Sequence, residues 1–340
     1  MADRQKKQWV TASDVAARAG VSRSAVSRAF SPSASIAPET RERVMSAARA
    51  LGYQVNLIAR DMITQRSSMI GVVTAGFENP FRARLLSDLM AALGHRGLTP
   101  LVTNAEDPRQ IRQSLERLLS YRIAGLVMTS ASPPLSVARQ YLAHRIPVVM
   151  INRAASLPGA DVVVSDNAEG AGRAARLLAQ AGARRLAFVG PRDTSYSAQS
   201  RADAFADALR RGEPGGPALA HIHGTSSDTY ACGVEAAQHL LAGDSRPDGV
   251  FCSSDLLALG VIDTARQRFG LRVPDDLRVI GFDDIPAAAF DGYALTTLRQ
   301  DTQGLANAAV DMLAERMQAP AGASRTQVVP VATVIRHSCG

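Results

Sequence analysis

The chain has 340 residues, 46% apolar and 20% charged, enough to bury two or three compact cores, and this balance excludes a disordered or fibrous protein. Its N-terminus, MADRQKKQWV, carries charge with no apolar segment behind it, and no apolar run approaches the ~20 residues that cross a bilayer, so neither export nor membrane insertion is expected and a cytoplasmic protein is. The net charge of +7 sits at one end: residues 1–66 hold 11 Lys and Arg against 5 acids, the rest 27 against 26, which is the footprint of a polyanionic partner. A membrane surface would also attract such a head, but no basic helix with a broad apolar face accompanies it.

In chain order, TASDVAARAGVSRSAVSRAF predicts two short helices broken at Ala19-Gly20-Val21. Thr11 suits the N-cap of the first helix, Gly20 its left-handed stop, and Ser22 the N-cap of the second. Val15, Ala19, Val21 and Val26 can meet in one small core if the helices cross steeply, which is a helix-turn-helix. The second helix then presents Arg23 and Ser24 at its start and Arg28 one turn beyond Ser24. These are donors where a major groove would lie, and Arg is the commonest bidentate reader of guanine. An ordinary helical hairpin with solvated arginines satisfies the same spacing. After a SPSAS loop, Pro38 suits the first turn of a third helix, along which Val44, Ala47, Ala48 and Leu51 recur before Gly52 ends it. Ala37 cannot cap that helix by its side chain. Residues 53–68 form a linker, with Asn56 able to cap a short helix from Leu57 to about Ile63. Ile58 and Met62 lie one turn apart on one face of it, and some two turns of helix are unstable alone in water.

From Met69 onward, apolar runs alternate with longer helical stretches. Strands are expected at 70–74, 100–103, 125–128, 148–151, 162–164, 186–189, 219–222, 250–252 and 279–281. Helices are expected at 81–96, 109–121, 168–181, 199–211, 230–241, 256–269 and 303–318, and VVPVATVIRHS is expected to supply one closing strand. Such alternation implies parallel sheets with right-handed crossovers, and nine strands suit two sheets better than one. No internal repeat competes. Open α/β sheets bind ligands beyond the carboxyl ends of their strands, so the candidate loops are 77–81, 152–153, 196–201, 227–230, 254–255 and 283–284. Among these, Asp255 reads as the cap of the helix that follows it.

The segments VTASDVAARAGVSRSAVSRAF, APETRERVMSAARALGY, ARDMITQRSSMIGVV, INR, GFDD and LTTLRQD occur in this order over nearly the whole chain. The set resembles the lac-repressor/galactose-repressor (LacI/GalR) family of bacterial transcription regulators. The resemblance implies an all-α helix-turn-helix headpiece (1–53), a hinge helix and linker (54–68), and a two-lobe, periplasmic-binding-protein-like α/β core with two parallel sheets (69–340). The first lobe would comprise about 69–163 and 293–326, the second about 164–292 and 327–340. It implies DNA contacts at Thr11, Ser22, Arg23, Ser24, Ser27 and Arg28, with Asn56, Ile58 and Met62 in the hinge. Met62 takes the place of the usual Leu that wedges between base pairs from the minor groove. It implies effector contacts at Asn79 or Phe81, Arg153, Arg201 and Asp283; Asp228 stands where many sugar-binding relatives carry an aromatic platform. Two guanidinium forks and a carboxylate suit a sugar, a sugar acid or a similar metabolite. The implied partners are a near-palindromic double-stranded operator and a second copy of the chain. No C-terminal heptad segment is present, so a tetramer through a terminal coiled coil is not expected.

Enzyme chemistry finds no support in the motifs. There is neither GxxxxGK[ST] nor a GxGxxG after a strand, and no cofactor is expected. His95, His144, His221, His223, His239 and His337 have no nucleophile elbow or metal spacing, and Cys232, Cys252 and Cys339 stand far apart and read as reduced, structural thiols. His221 and His223 share one strand face and read as a surface pair. The reading is a ligand-gated DNA-binding regulator; the alternative is a cytoplasmic solute-binding or metabolic α/β protein with an appended DNA-binding head.

Overall fold

A computed structural model describes residues 9–31, 34–55, 67–106, 108–129, 135–153, 157–192, 195–212, 215–320 and 322–340. Asn56, Ile58 and Met62, and with them the hinge helix, lie outside the described residues. The chain divides into two compact units, Met1–Ser67 and Ser68–Gly340.

In the first unit, α1 (Ala12–Ala19) opens on a reciprocal cap: the Thr11 hydroxyl accepts from the Asp14 N–H, and the Asp14 carboxylate accepts from the Thr11 N–H at 2.8 Å. Gly20, at φ 67°, ends it. Ser22 caps α2 (Arg23–Ala29) through the Ala25 N–H, while α3 (Pro38–Leu51) starts at Ala37 without a side-chain cap. Val15, Val26 and Val44 are buried at the centre, with Val21, Leu51 and Tyr53 packed around them. Each helix contributes one apolar face, too small to be stable alone. Arg41 of α3 donates to the Ala29 carbonyl at 2.7 Å and the Ala34 carbonyl at 3.2 Å, tying down the end of α2 and the loop after it.

The second unit contains two six-stranded sheets. The first holds β1 (Met69–Thr74), β2 (Thr99–Asn104), β3 (Gly125–Thr129), β4 (Val148–Ile151), β5 (Asp161–Ser165) and β11 (Thr326–Val329) in the order β11-β5-β4-β3-β1-β2, all parallel. The second holds β6 (Arg185–Gly190), β7 (Ala218–Gly224), β8 (Gly249–Cys252), β9 (Arg278–Asp283), β10 (Thr296–Gln300) and β12 (Val331–Val334) in the order β12-β10-β9-β8-β6-β7, with only β12 antiparallel. Inner strands such as β3 and β4 are buried throughout, whereas β2 and β7 at the edges are half exposed, as parallel sheets covered on both faces require. The first sheet is covered by α4 (Pro80–His95), α5 (Pro108–Ser120), α6 (Leu135–Ala143) and α11 (Thr302–Gln318), and the second by α7 (Asn167–Gln180), α8 (Tyr196–Arg210), α9 (Tyr230–Leu241) and α10 (Asp255–Phe269).

The structure corrects two expectations. VVPVATVIRHS forms two strands in different sheets, because Pro330 has no N–H for a ladder and the chain changes lobe there. The β10 strand belongs to the second sheet, where Thr296, Thr297 and Leu298 pair with Ile280, Gly281 and Phe282 of β9. The second lobe therefore extends through Gln300, beyond the expected boundary at 292, and the first lobe reaches Val329 instead of 326. The chain crosses between lobes after β5, after β10 and at Pro330.

Candidate effector site and nucleic-acid interface

The inner parts of both sheets share one strand order, 2-1-3-4-5 in the sequence of each lobe, although no sequence repeat announces it. Such an order leaves a crevice where successive crossovers leave in opposite directions, beyond β1 and β3 in the first sheet and beyond β6 and β8 in the second. Ala75 and Thr129 mark the first crevice; Pro191, Arg192, Ser253 and Ser254 mark the second. All line one cavity of about 500 Å³. At the second crevice the Ser253 side chain packs directly on Gly190: a Cβ there would lie 2.4 Å from the Ser253 Oγ.

Arg201, on α8, is held from three sides. Its Nε donates to the Asn167 Oδ1 at 2.8 Å, its Nη1 to the Ser253 carbonyl at 2.5 Å, and its guanidinium stacks 3.5 Å above the Phe282 ring. Burial lowers its pKa to about 10, against the opposing pull of Asp283. The Asp283 carboxylate, 4.0 Å from Arg201, accepts from Gln300 Nε2 at 2.6 Å. Burial raises the pKa of Asp283 well above the ordinary carboxylate range, despite Arg201. Gln300 Oε1 in turn accepts from Asn152 Nδ2 at 3.0 Å and from the Ser165 hydroxyl at 2.5 Å, so one amide couples the first-lobe loop after β4 to the second-lobe carboxylate. Asn152, Asp283 and Asp284 take positive φ values of 54°, 125° and 59°, a concentration of non-glycine strain typical of a functional site.

Asp255 does not cap α10 by its side chain. It is fully buried and accepts from the Thr297 hydroxyl at 2.6 Å and the Ile285 N–H at 2.8 Å, which fixes the Asp283-Asp284 loop from behind. Burial raises its pKa to about 6. Asp284 turns outward to Arg336 at 2.7 Å.

Phe81, Arg153, Arg201, Asp228 and Asp283 all line the cavity, but Asn79 does not. The Asn79 Oδ1 caps α4 by accepting from the Phe81 and Arg82 N–H groups, and its Nδ2 donates to Asp228 at 3.2 Å. That carboxylate also receives Arg82 Nη2 at 2.9 Å, so Asp228 of the second lobe is clamped to α4 of the first. Arg153, next in the chain after Asn152, makes no hydrogen bond to any described residue, and its Nη1 is buried without a partner. Sequence reasoning missed Arg82, Arg192 and Gln300. Gln300 lay in plain view in LTTLRQD, but a polar side chain gives no sign of its burial.

On the head, Thr11 at the start of α1 is exposed, as are Ser22, Arg23, Ser24, Ser27 and Arg28 along α2, whose other side buries Ala25, Val26 and Ala29. Arg23 is free of ion pairs among the described residues, and Arg28 makes only a long bond to its own helix, at 3.4 Å to the Ser24 carbonyl. Among the described residues no helix is long and apolar enough to cross a membrane, and no cluster of three His, Cys, Asp or Glu could hold a metal ion.

A helix-turn-helix with a bare basic face, joined to two α/β lobes around a polar cleft, defines a ligand-responsive DNA-binding protein. Residues 11–56 match the family described as bacterial regulatory proteins, lacI family, and residues 175–339 match a periplasmic binding protein-like domain. The chain is 30% identical over 336 residues to the HTH-type transcriptional repressor PurR of Mannheimia succiniciproducens, covering 96% of this chain and 98% of that one. It is 29% identical over 330 residues to the ribose operon repressor of Haemophilus influenzae, again covering 96% and 98%. The crystal structure of the Lac repressor dimer bound to operator and the anti-inducer ONPF superposes with a TM-score of 0.87 at 23% identity, covering 98% and 99% of the two chains. The chain belongs to the lacI family: it is a DNA-binding transcriptional repressor with an effector-binding core, and not an enzyme.

Proposed function

We propose that this cytoplasmic regulator binds a near-palindromic operator as a homodimer and that a sugar or sugar acid, held between the lobes by Phe81, Arg153, Arg201 and Asp283, sets its affinity for DNA. The observation that carries the reading is the single cavity at both topological switch points, with guanidinium and carboxylate groups from opposite lobes on its walls. A ligand touching both lobes makes contacts that exist only when they are close, and such differential contacts bias a two-state equilibrium. In the head, Thr11, Ser22, Arg23, Ser24, Ser27 and Arg28 contact DNA, and Asn56, Ile58 and Met62 act in the hinge. The experiment is selection of duplexes from a random pool by the full chain. Enriched sequences should be inverted repeats with half-sites about one helical turn apart. Enrichment of single, unpaired half-sites would refute the dimeric reading, and no enrichment would refute sequence-specific binding by the head.

A further inference from the structure

Among the described residues, the buried side-chain nitrogen and oxygen atoms that lack a hydrogen-bond partner are Arg153 Nη1, Arg192 Nε and Ser254 Oγ, and all three residues line the one cavity. Buried polar groups are almost always paired, so unpaired ones that line the same cavity from both lobes mark a place for a complementary group. Two of the three are N–H donors that cannot accept, and the third is a hydroxyl. From these we infer that the cleft ligand is an anion, a carboxylate or a phosphate monoester, whose oxygens are received by Arg153 with Arg192 and Ser254. The inference rests on the cleft reading above and narrows it from polar metabolites to charged ones.

Charge balance supports the assignment. The cavity wall carries Arg82, Arg153, Arg192 and Arg201 against Asp228 and Asp283. Arg82 is matched by Asp228 at 2.9 Å, Arg192 reaches Asp203 at 3.1 Å through Nη2, and Arg201 is shared between Asp283 and neutral acceptors. Arg153 is 8% exposed and faces no described carboxylate. Burial lowers its pKa with no acid opposing the fall, unlike that of Arg201. A neutral sugar could accept its hydrogen bonds but would leave a desolvated charge unbalanced, whereas a carboxylate or phosphate supplies bidentate geometry and the opposite sign.

The test is a thermal-shift and calorimetric titration of the full chain with matched sets at millimolar concentration: glucose, gluconate and glucose 6-phosphate; ribose, ribonate and ribose 5-phosphate. Wild type, Arg153→Gln and Arg153→Lys are compared. An acid or a phosphate, but not its neutral parent, should bind wild type, lose about 10- to 100-fold in affinity with Arg153→Gln, and recover part of it with Arg153→Lys. Which of the two anions binds decides between a sugar acid and a sugar phosphate. A neutral sugar that binds wild type and Arg153→Gln equally, but is weakened by Phe81→Ala, would overturn the anion and leave the cleft reading standing. An anion that binds every variant unchanged, Phe81→Ala included, would sink both. Should no member bind, the ligand-free melting temperatures decide: Arg153→Gln melts above wild type if the buried cation lacks a partner, and melting below wild type overturns the assignment.

Discussion

The structure gives Asp228 a task of its own, which is to hold the lobes together. Its carboxylate takes one charged bond from Arg82 at 2.9 Å and one neutral bond from Asn79 at 3.2 Å, both from the opposite lobe. The Arg82 and Asp228 side chains are 30% and 24% exposed, so their attraction is screened by nearby solvent and lies near the upper end for surface pairs, about 1 kcal/mol. Since RT is about 0.6 kcal/mol, that amounts to roughly a fivefold change in the ratio of closed to open cleft. The assay is energy transfer between one dye on each lobe, without ligand, in wild type, Arg82→Met, Asp228→Ala and the double variant. The native cysteines Cys232, Cys252 and Cys339 are all buried, which leaves introduced surface cysteines as the labelled sites. Each single variant should open the cleft about fivefold, with the double variant no more open than Asp228→Ala. Effects that simply multiply would show that the two side chains do not cooperate across the cleft and would refute the reasoning.

Other perturbations reach different layers of the structure. In the first lobe, Arg316 pairs with the fully buried Asp161 at 2.7 Å, with Arg325 alongside at 3.0 Å; burial tends to raise the Asp161 pKa, yet these guanidinium groups hold it below the ordinary value. Arg316→Met should cost about 3 kcal/mol in urea unfolding, since Arg325 can only partly replace the lost partner, and a midpoint within error of wild type would contradict this. The folded Asp255 pKa of about 6 exceeds its ordinary 3.8, so its neutral form favours folding: no penalty exists below pH 4, and about 3 kcal/mol of stability is lost as pH rises through 6. Asp255→Asn, which keeps an acceptor for the Ile285 N–H, should remove that slope, and identical pH profiles would refute the assignment. In the head, Arg23→Ala or Arg28→Ala should cost about 1 to 3 kcal/mol on a selected operator and little on random duplex; equal losses on both would make that arginine a phosphate contact.

Much of this architecture is written locally. The caps at Thr11 and Ser22 and the stop at Gly20 depend on residues three or four apart, and buried parallel strands declare themselves as short apolar runs. The β10 strand hides because Thr296, Thr297 and Gln300 are polar yet buried, and the split closing strand hides because VVPVATV looks continuous until its pairing partners are known. At the cleft, Arg153, Arg201 and Asp283 were reached through the family resemblance, with Arg153 lying in INR and Asp283 in GFDD, not through spacing. The groups that tie the lobes together could not be found that way: Arg82 meets Asp228 across 146 residues and Asn152 meets Gln300 across 148. Asn79 shows the same limit, since its amide is divided between a local cap and that distant carboxylate.

Control of DNA binding from the cleft is tested most directly by titrating a selected operator with the full chain at fixed salt, with and without the best-binding anion, in wild type and Arg153→Gln. Fixed salt is essential because a head with six net positive charges binds DNA with a steep salt dependence. Coupling between two sites of one protein commonly amounts to 1 to 3 kcal/mol, so the anion should change wild-type operator affinity by about 5- to 150-fold. At that same ligand concentration, the Arg153→Gln protein should respond far less. An operator affinity that the ligand leaves unchanged in wild type, or changes equally in both proteins, would contradict the account.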